Sequence, residues 1–174
     1  MSATRDRESL DLTPRPRQWA IKVIVLILIA VPALSANAIE KSGAIKSTYG
    51  ITIPMPGGVN LVTTQYLGPR IGVRLTGGYL PARDGGHLAG GQVGLVWKAK
   101  EWGSSLADIG LIGGYSEIDR GCPCSLDDYW RYGGAAGSYK WRAFFVEGGL
   151  TFGSGTYSNP QAVLQIGVIF KTFR

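Results

Sequence analysis

The chain has little of the material from which catalytic, metal and nucleic-acid sites are usually built. Its 174 residues include one histidine and two cysteines. Two cysteines cannot complete a structural zinc site alone, because such a site takes four ligands. The net charge is only +6, and no run of lysine or arginine is interleaved with aromatic residues. A nucleic-acid-binding function is therefore disfavoured.

Long apolar runs are absent after residue 38, so any membrane crossing there would have to use strands. Before that point lie an unbroken apolar run, Val23 to Val31, and a small-x-small cleavage site, Ala36-Asn37-Ala38. The apolar run has nine residues, whereas a spanning helix needs about 20. We predict that residues 1–38 are a signal peptide cleaved after Ala38 and that residues 39–174 are the mature domain. The alternative is an uncleaved membrane anchor.

The rest of the chain is rich in glycine and in segments where apolar and polar residues alternate. All 26 glycines follow residue 38, and that much glycine is unfavourable for helices. The glycines lie within alternating apolar segments that are separated by turn signals, which favours a folded all-β domain over disorder. In the last segment Leu164, Ile166, Val168 and Phe170 share one face of an extended strand.

Eight such segments predict a single antiparallel up-and-down transmembrane β-barrel, with apolar faces toward lipid and polar faces inside. The segments are 44–53, 59–67, 70–80, 88–99, 107–116, 129–140, 144–152 and 161–173. The faces of the second are poorly separated. In the sixth, Arg131 is expected to point inward, which favours an outward position for its neighbours Trp130 and Tyr132. The shorter links, after strands two, four and six, are expected on the periplasmic side.

Charged residues on the predicted inner faces suggest an ion network in the lumen. In a barrel of eight strands the lumen is filled by side chains, so mixed charges there more often replace an apolar core than line a conduction path. We expect Glu147 and Asp108 each to pair with one of several arginines. The candidate members are Arg70, Arg74, Lys98, Asp108, Arg131 and Glu147. The Gly-Gly pairs within the strands are interpreted as architecture, because a phosphate loop needs a helix that this chain lacks.

The predicted outer loops contain the remaining candidates for chemistry. Cys122 and Cys124 flank Pro123 in the longest of them and are a candidate loop disulfide, or could pair between chains. His87 has no serine nearby on its face, and catalysis requires a nucleophile within reach of its base. The sequence therefore predicts no catalytic site, no metal site and no cofactor.

From residue 44 to 173 the pattern resembles small bacterial outer-membrane β-barrel proteins of the OmpX family and the OmpA transmembrane domain. The resemblance implies a Gram-negative outer membrane, contact with outer-membrane lipid and lipopolysaccharide, and recognition of the last strand by the outer-membrane assembly machinery. Members usually end in an aromatic residue, but here Phe173 is penultimate and out of phase with Phe170.

The function that this resemblance suggests is non-enzymatic, either structural or as a surface-interaction protein acting through the outer loops. Some outer-membrane barrels hydrolyse lipid A acyl chains with a histidine, a serine and a carboxylate, so an enzyme that depends on His87 is one alternative. A soluble periplasmic barrel that binds a small ligand is another.

Overall fold

The structure, a computed structural model, describes residues 47–82, 85–121 and 128–173. Within these ranges no helix is both long and apolar enough to cross a membrane. The predicted signal peptide, the first residues of the predicted first strand, and both cysteines lie outside them.

Eight antiparallel strands form a closed barrel in which each strand pairs with its neighbours in sequence and the first pairs with the last. The predicted fold class is therefore confirmed. The strands are β1 (Ser47–Pro54), β2 (Asn60–Tyr66), β3 (Ile71–Pro81), β4 (His87–Trp102), β5 (Ser105–Asp119), β6 (Asp128–Trp141), β7 (Phe144–Gly155) and β8 (Gln161–Phe173).

Two strands run further than the sequence predicts. The expected link from Lys100 to Leu106 is reduced to Gly103 and Ser104, because β4 and β5 stay paired down to Trp102 and Ser105. A bulge between Lys98 and Lys100 shifts the register of the two strands, and their pairing continues beyond it.

A second bulge lies between β1 and β8, where the partner of Tyr49 is Lys171 and the partner of Gly50 is Ile169. The pairing therefore skips Phe170. Because an extra residue changes the phase of a strand, the alternation of β8 does not continue unchanged to Phe173.

Polarity is inverted relative to a water-soluble domain. Most of the large apolar side chains lie on the outside, with Leu111 62% and Phe170 64% exposed, whereas polar side chains such as Glu147 and Gln165 are almost fully buried. This inside–outside arrangement follows the alternation of the sequence in β1, β3, β4, β5, β7 and β8.

The predicted facing of β6 is wrong. Trp130 and Tyr132 are buried inside the barrel, and Tyr129, Arg131 and Tyr139 lie on the outer face. The guanidinium of Arg131 lies 5.8 Å from the centre of the Tyr129 ring. An arginine near the end of a strand can remain outside because the face of a neighbouring aromatic ring attracts and stabilises its positive charge.

The barrel has two dissimilar ends. We call the end with the short connections 67–70, 103–104 and 142–143 the turn end, and the opposite end, with connections 55–59, 82–86, 120–127 and 156–160, the loop end.

Candidate functional site: a sealed interior and two polar rims

Arg74 is the centre of the polar interior. Its guanidinium contacts Oδ2 of Asp108 at 2.9 Å and Oε2 of Glu147 at 2.5 Å. It also donates to the hydroxyl oxygens of Ser138 and Thr64, both at 2.9 Å. One arginine therefore joins β3 to β2, β5, β6 and β7 across the lumen.

Neutral donors complete the coordination of the two carboxylates. The hydroxyl of Tyr66 donates to Asp108 at 2.7 Å. The side-chain amides of Gln92 and Gln165 donate to Oε1 of Glu147 at 2.7 and 3.1 Å. Since Arg74 contributes one positive charge and the two acids contribute two negative charges, this cluster has a formal charge of −1.

The other candidates for the ion network lie elsewhere. Arg70 precedes β3 and is exposed at the turn end. Lys98 points inward near the same end, where it pairs with Glu101 at 2.8 Å. Arg131 is on the outer face, contrary to the sequence-based expectation. Of the six candidates, the structure brings together Arg74, Asp108 and Glu147.

The connection between β1 and β2 folds into the mouth of the barrel at the loop end. Pro56 is fully buried, and its carbonyl oxygen accepts a hydrogen bond from the hydroxyl of Ser116 at 2.7 Å. Asn60, which is itself fully buried, accepts from the Gly57 N–H at 2.8 Å and donates to the Met55 carbonyl at 2.7 Å. We call residues 55–58 the inner loop.

Two glycines in the wall make room for the inner loop. A Cβ at Gly78 would overlap the carbonyl oxygen of Val59, the residue directly after the inner loop, and a Cβ at Gly90 would overlap that of Pro56. Below the loop, Met55 packs on an apolar cluster formed by Ile112, Trp130, Tyr132 and Val163. The sequence identified the inner loop only as a turn, because its inward course depends on contacts with distant strands.

His87 lies on the outer face at the loop end, between two acids. Its Nε2 is 3.7 Å from Oε1 of Glu117 and its Nδ1 is 3.6 Å from Oδ2 of Asp119, and its ring stacks on Tyr79 at 5.3 Å. The hydroxyl of Tyr115 donates to Glu117. The sequence missed both acids as neighbours of His87, although they lie across the β4–β5 hairpin from it.

The remaining loop-end connections are tied to the strands beneath them. Asn159 accepts from the Gly153 N–H at 2.8 Å and donates to its carbonyl at 2.9 Å. Tyr157 meets Trp130 edge to face, and burial together with the nearby Asp128 raises the pKa of the Tyr157 hydroxyl. Arg120 pairs with Asp128 at 2.7 Å, across the base of the 120–127 connection.

The turn end is ringed by aromatic and basic side chains on the outer surface. The rings of Trp102 and Tyr139 are in contact at a tilt of 34°, with their centres 5.9 Å apart. Lys100 lies 5.4 Å from the Trp102 ring, and Arg142 lies 5.4 Å from the Trp141 ring. Among the side chains that the structure describes, the cations at this end include Arg70, Lys98, Lys100, Lys140 and Arg142, and the carboxylates include Glu101.

These features define a class: a closed eight-stranded antiparallel barrel with a packed polar interior and an apolar outer surface. No family model matches the chain, and no curated protein matches it.

Solved structures similar to the chain include two of Ail, the attachment invasion locus protein of Yersinia pestis. One is of the protein alone and the other is its complex with the heparin analogue sucrose octasulfate. Both are 15% identical to this chain, cover 72% of it and 96% of their own length, and have TM-scores of 0.34 and 0.29. Similarity at this level bears on no function, and the fold of this chain rests on its own strand pairing.

Proposed function

We propose that this chain is a non-enzymatic β-barrel protein of the outer membrane of a Gram-negative bacterium. The observation that supports this most is the inverted polarity of the barrel. An apolar belt around a closed barrel is stable in lipid, where closure leaves no strand edge with unsatisfied backbone groups. In water the same belt would be an exposed apolar patch far larger than monomeric proteins tolerate.

The filled interior favours a structural or surface-interaction role over conduction. The inner loop occupies the mouth, an apolar cluster lies below it, and the Arg74 cluster spans the lumen beyond. The partners we propose are outer-membrane lipid and lipopolysaccharide around the belt, the assembly machinery during insertion, and a surface partner at the loop end. The filled interior also argues against the alternative of a soluble barrel with a small ligand inside.

The first experiment is to fractionate cells that express the full chain and to compare boiled with unboiled samples of the detergent extract by gel. We expect the protein in the outer-membrane fraction, with a mobility that changes on boiling because the closed barrel stays folded in cold detergent. Soluble protein without such a shift contradicts the proposal and returns attention to the ligand-binding alternative. The same mature protein, analysed by mass spectrometry, tests cleavage after Ala38 and, without reduction, the state of Cys122 and Cys124.

Planar-bilayer recordings and a loop exchange separate the possible roles. We expect no steady conductance from the wild-type barrel, since three layers of side chains and backbone close it. Replacement of residues 120–128 by a short Gly-Ser link should leave the heat-dependent mobility intact and should abolish a surface interaction if that loop mediates it. A steady single-channel conductance in the wild type contradicts the sealed interior.

A lipid acyl hydrolase remains the second candidate because His87 and Glu117 face outward at the membrane boundary. Against it, Ser116 beside Glu117 in sequence points inward to Pro56. An acyl-release assay on purified protein decides the matter: release by the wild type that is lost in His87→Ala favours the enzyme, and no release favours the non-enzymatic barrel.

A further inference from the structure

A groove on the outer face of the barrel lies directly above the basic and aromatic cluster at the turn end. The groove has a volume of about 490 Å³. Trp97, Ile109 and Leu111 form walls, and Ala135 and Gly137 lie on its floor. The lining of the groove is almost entirely apolar, and it would face the hydrocarbon region if the proposed function is correct.

The floor of the groove is open because its residues are small. No crowding by neighbouring backbone requires glycine at these positions. A Cβ at Gly137 would have its nearest contact at 3.9 Å, and one at Gly133 at 3.8 Å. By contrast, a Cβ at the inward Gly134 would overlap the Leu150 carbonyl. At about 3.4 Å per residue, the stripe from Gly133 to Gly137 is roughly 14 Å long.

Strand register places the cations at one end of this stripe. On β5, Ile109 pairs with Trp97 on one side and with Gly137 on the other. Ala107, two residues nearer the turn end, pairs with Lys100 and Tyr139 in the same way. The Arg142 N–H donates to the Ser104 carbonyl at 3.1 Å, which joins the β6–β7 turn to the β4–β5 turn. Apolar groove and cations therefore form one continuous surface.

The two cations at this edge are available to an anion. Lys100 and Arg142 each lie over an exposed tryptophan, and neither forms an ion pair with a carboxylate among the described residues. Lys98 differs, because it is paired with Glu101. An indole ring holds a cation in place at the interface without neutralising it.

We propose that this surface binds an anionic phospholipid, with one acyl chain in the groove and the headgroup phosphate between Lys100 and Arg142. The inference rests on the proposed membrane location, and the turn end then faces the periplasmic leaflet. Charge complementarity with Lys100 and Arg142 favours a lipid with a negative headgroup over a zwitterionic one, and the apolar stripe accommodates part of an acyl chain.

Native mass spectrometry of the full-length protein in detergent, with phosphatidylglycerol or phosphatidylcholine added, tests this. We expect wild type to retain phosphatidylglycerol in preference to phosphatidylcholine. Lys100→Gln and Arg142→Gln should each lower phosphatidylglycerol retention about fivefold, and about 25-fold together, from the usual contribution of one cation near an anionic headgroup. Phosphatidylcholine retention should change little.

Matched controls come from the same barrel. Arg131→Gln removes an equivalent cation from an aromatic ring at the loop end, so it should leave phosphatidylglycerol retention unchanged. Ala135→Leu fills the groove and should lower retention on the order of tenfold, the value of one to two buried methylene groups. Ala162→Leu adds the same bulk to the outer face of β8 and should have no effect.

Equal retention of the two lipids overturns the inference, as do equal losses in a variant and its control. A dimer mass without lipid, disrupted by Ala135→Leu, would show that a second copy occupies the groove instead. The heat-dependent gel shift confirms that each variant is folded. If the wild type has that shift but no lipid preference, only this inference fails; if it is soluble without detergent, the proposed function fails.

Discussion

Removal of Arg74 should destabilise the barrel more than any other single change in the polar interior. Arg74→Leu leaves Asp108 and Glu147 buried, 4% and 1% exposed, without their common cation. Removing one partner of a buried ion pair typically costs about 3 to 5 kcal/mol, because the remaining charge stays desolvated. We expect a loss at the upper end of that range, since two charges lose the same partner.

The two acids should not be equivalent. Both oxygens of Glu147 are bonded to donors, and Glu147→Gln would turn an amide NH2 toward either Arg74 or the donating glutamines, at a cost of about 2 kcal/mol. In Asp108, Oδ1 is buried with no hydrogen-bond partner among the described residues, while Oδ2 accepts from Tyr66 and Arg74. Asp108→Asn keeps that acceptor and removes the excess negative charge, so we expect a change within about 1 kcal/mol.

Urea unfolding of the barrel in lipid vesicles, followed by tryptophan fluorescence and by gel mobility, measures these differences. The triple change Arg74→Gln, Asp108→Asn, Glu147→Gln is the control, because it removes all three charges together and should cost less than Arg74→Leu. An Arg74→Leu loss below about 1 kcal/mol, or an Asp108→Asn loss as large as that of Arg74→Leu, would refute the reasoning from buried charge.

Three further predictions address the inner loop, the glycines and the facing of β6. Asn60→Ala removes the hydrogen bonds that hold the inner loop. We therefore expect the free energy of unfolding in urea to fall by about 1 to 3 kcal/mol and planar bilayers to show intermittent conductance. Unchanged stability would contradict a role for Asn60 in holding the loop. Gly78→Ala should abolish the heat-dependent mobility because its Cβ meets backbone, whereas Gly137→Ala should preserve it. With Cys122 and Cys124 replaced by serine, Arg131→Cys should react with a membrane-permeant maleimide in the folded barrel and Trp130→Cys should not; the reverse would restore the sequence-based facing.

Regular alternation predicted most of the fold. In β3, for example, Ile71, Val73 and Leu75 alternate with Arg74 and Thr76, and only one facing leaves the charge out of lipid. The pattern was sufficient there because one face is purely apolar. Closure of the barrel then follows from the need to leave no strand edge in the membrane.

β6 could not be oriented in the same way because it has aromatic residues on both faces. The charge of Arg131 predicts an inward position, but the structure has it on the outer face beside Tyr129. A better signal was available further along the strand, where Ser138 shares a face with Tyr132. The Ser138 hydroxyl accepts a hydrogen bond from Arg74, and only a residue on the inner face can reach that arginine.

The ion cluster was partly predictable and the inner loop was not. The sequence placed Asp108, Glu147 and Arg74 on inward faces, but their union around one guanidinium depends on the stagger of strands far apart in sequence. The inner loop depends on Gly78 and Gly90, whose missing side chains admit its backbone. Nothing near residues 55–58 in the sequence indicates those two positions.

The inner loop also determines where a foreign epitope can be displayed on this barrel. An insert between Met55 and Gly58 would have to leave the mouth and would expose the apolar cluster beneath to water. The 120–127 connection is the better site, because the Arg120–Asp128 ion pair closes its base independently of the length above. Antibody access to a tag placed there, with the folded mobility retained, would make this barrel a carrier for surface presentation.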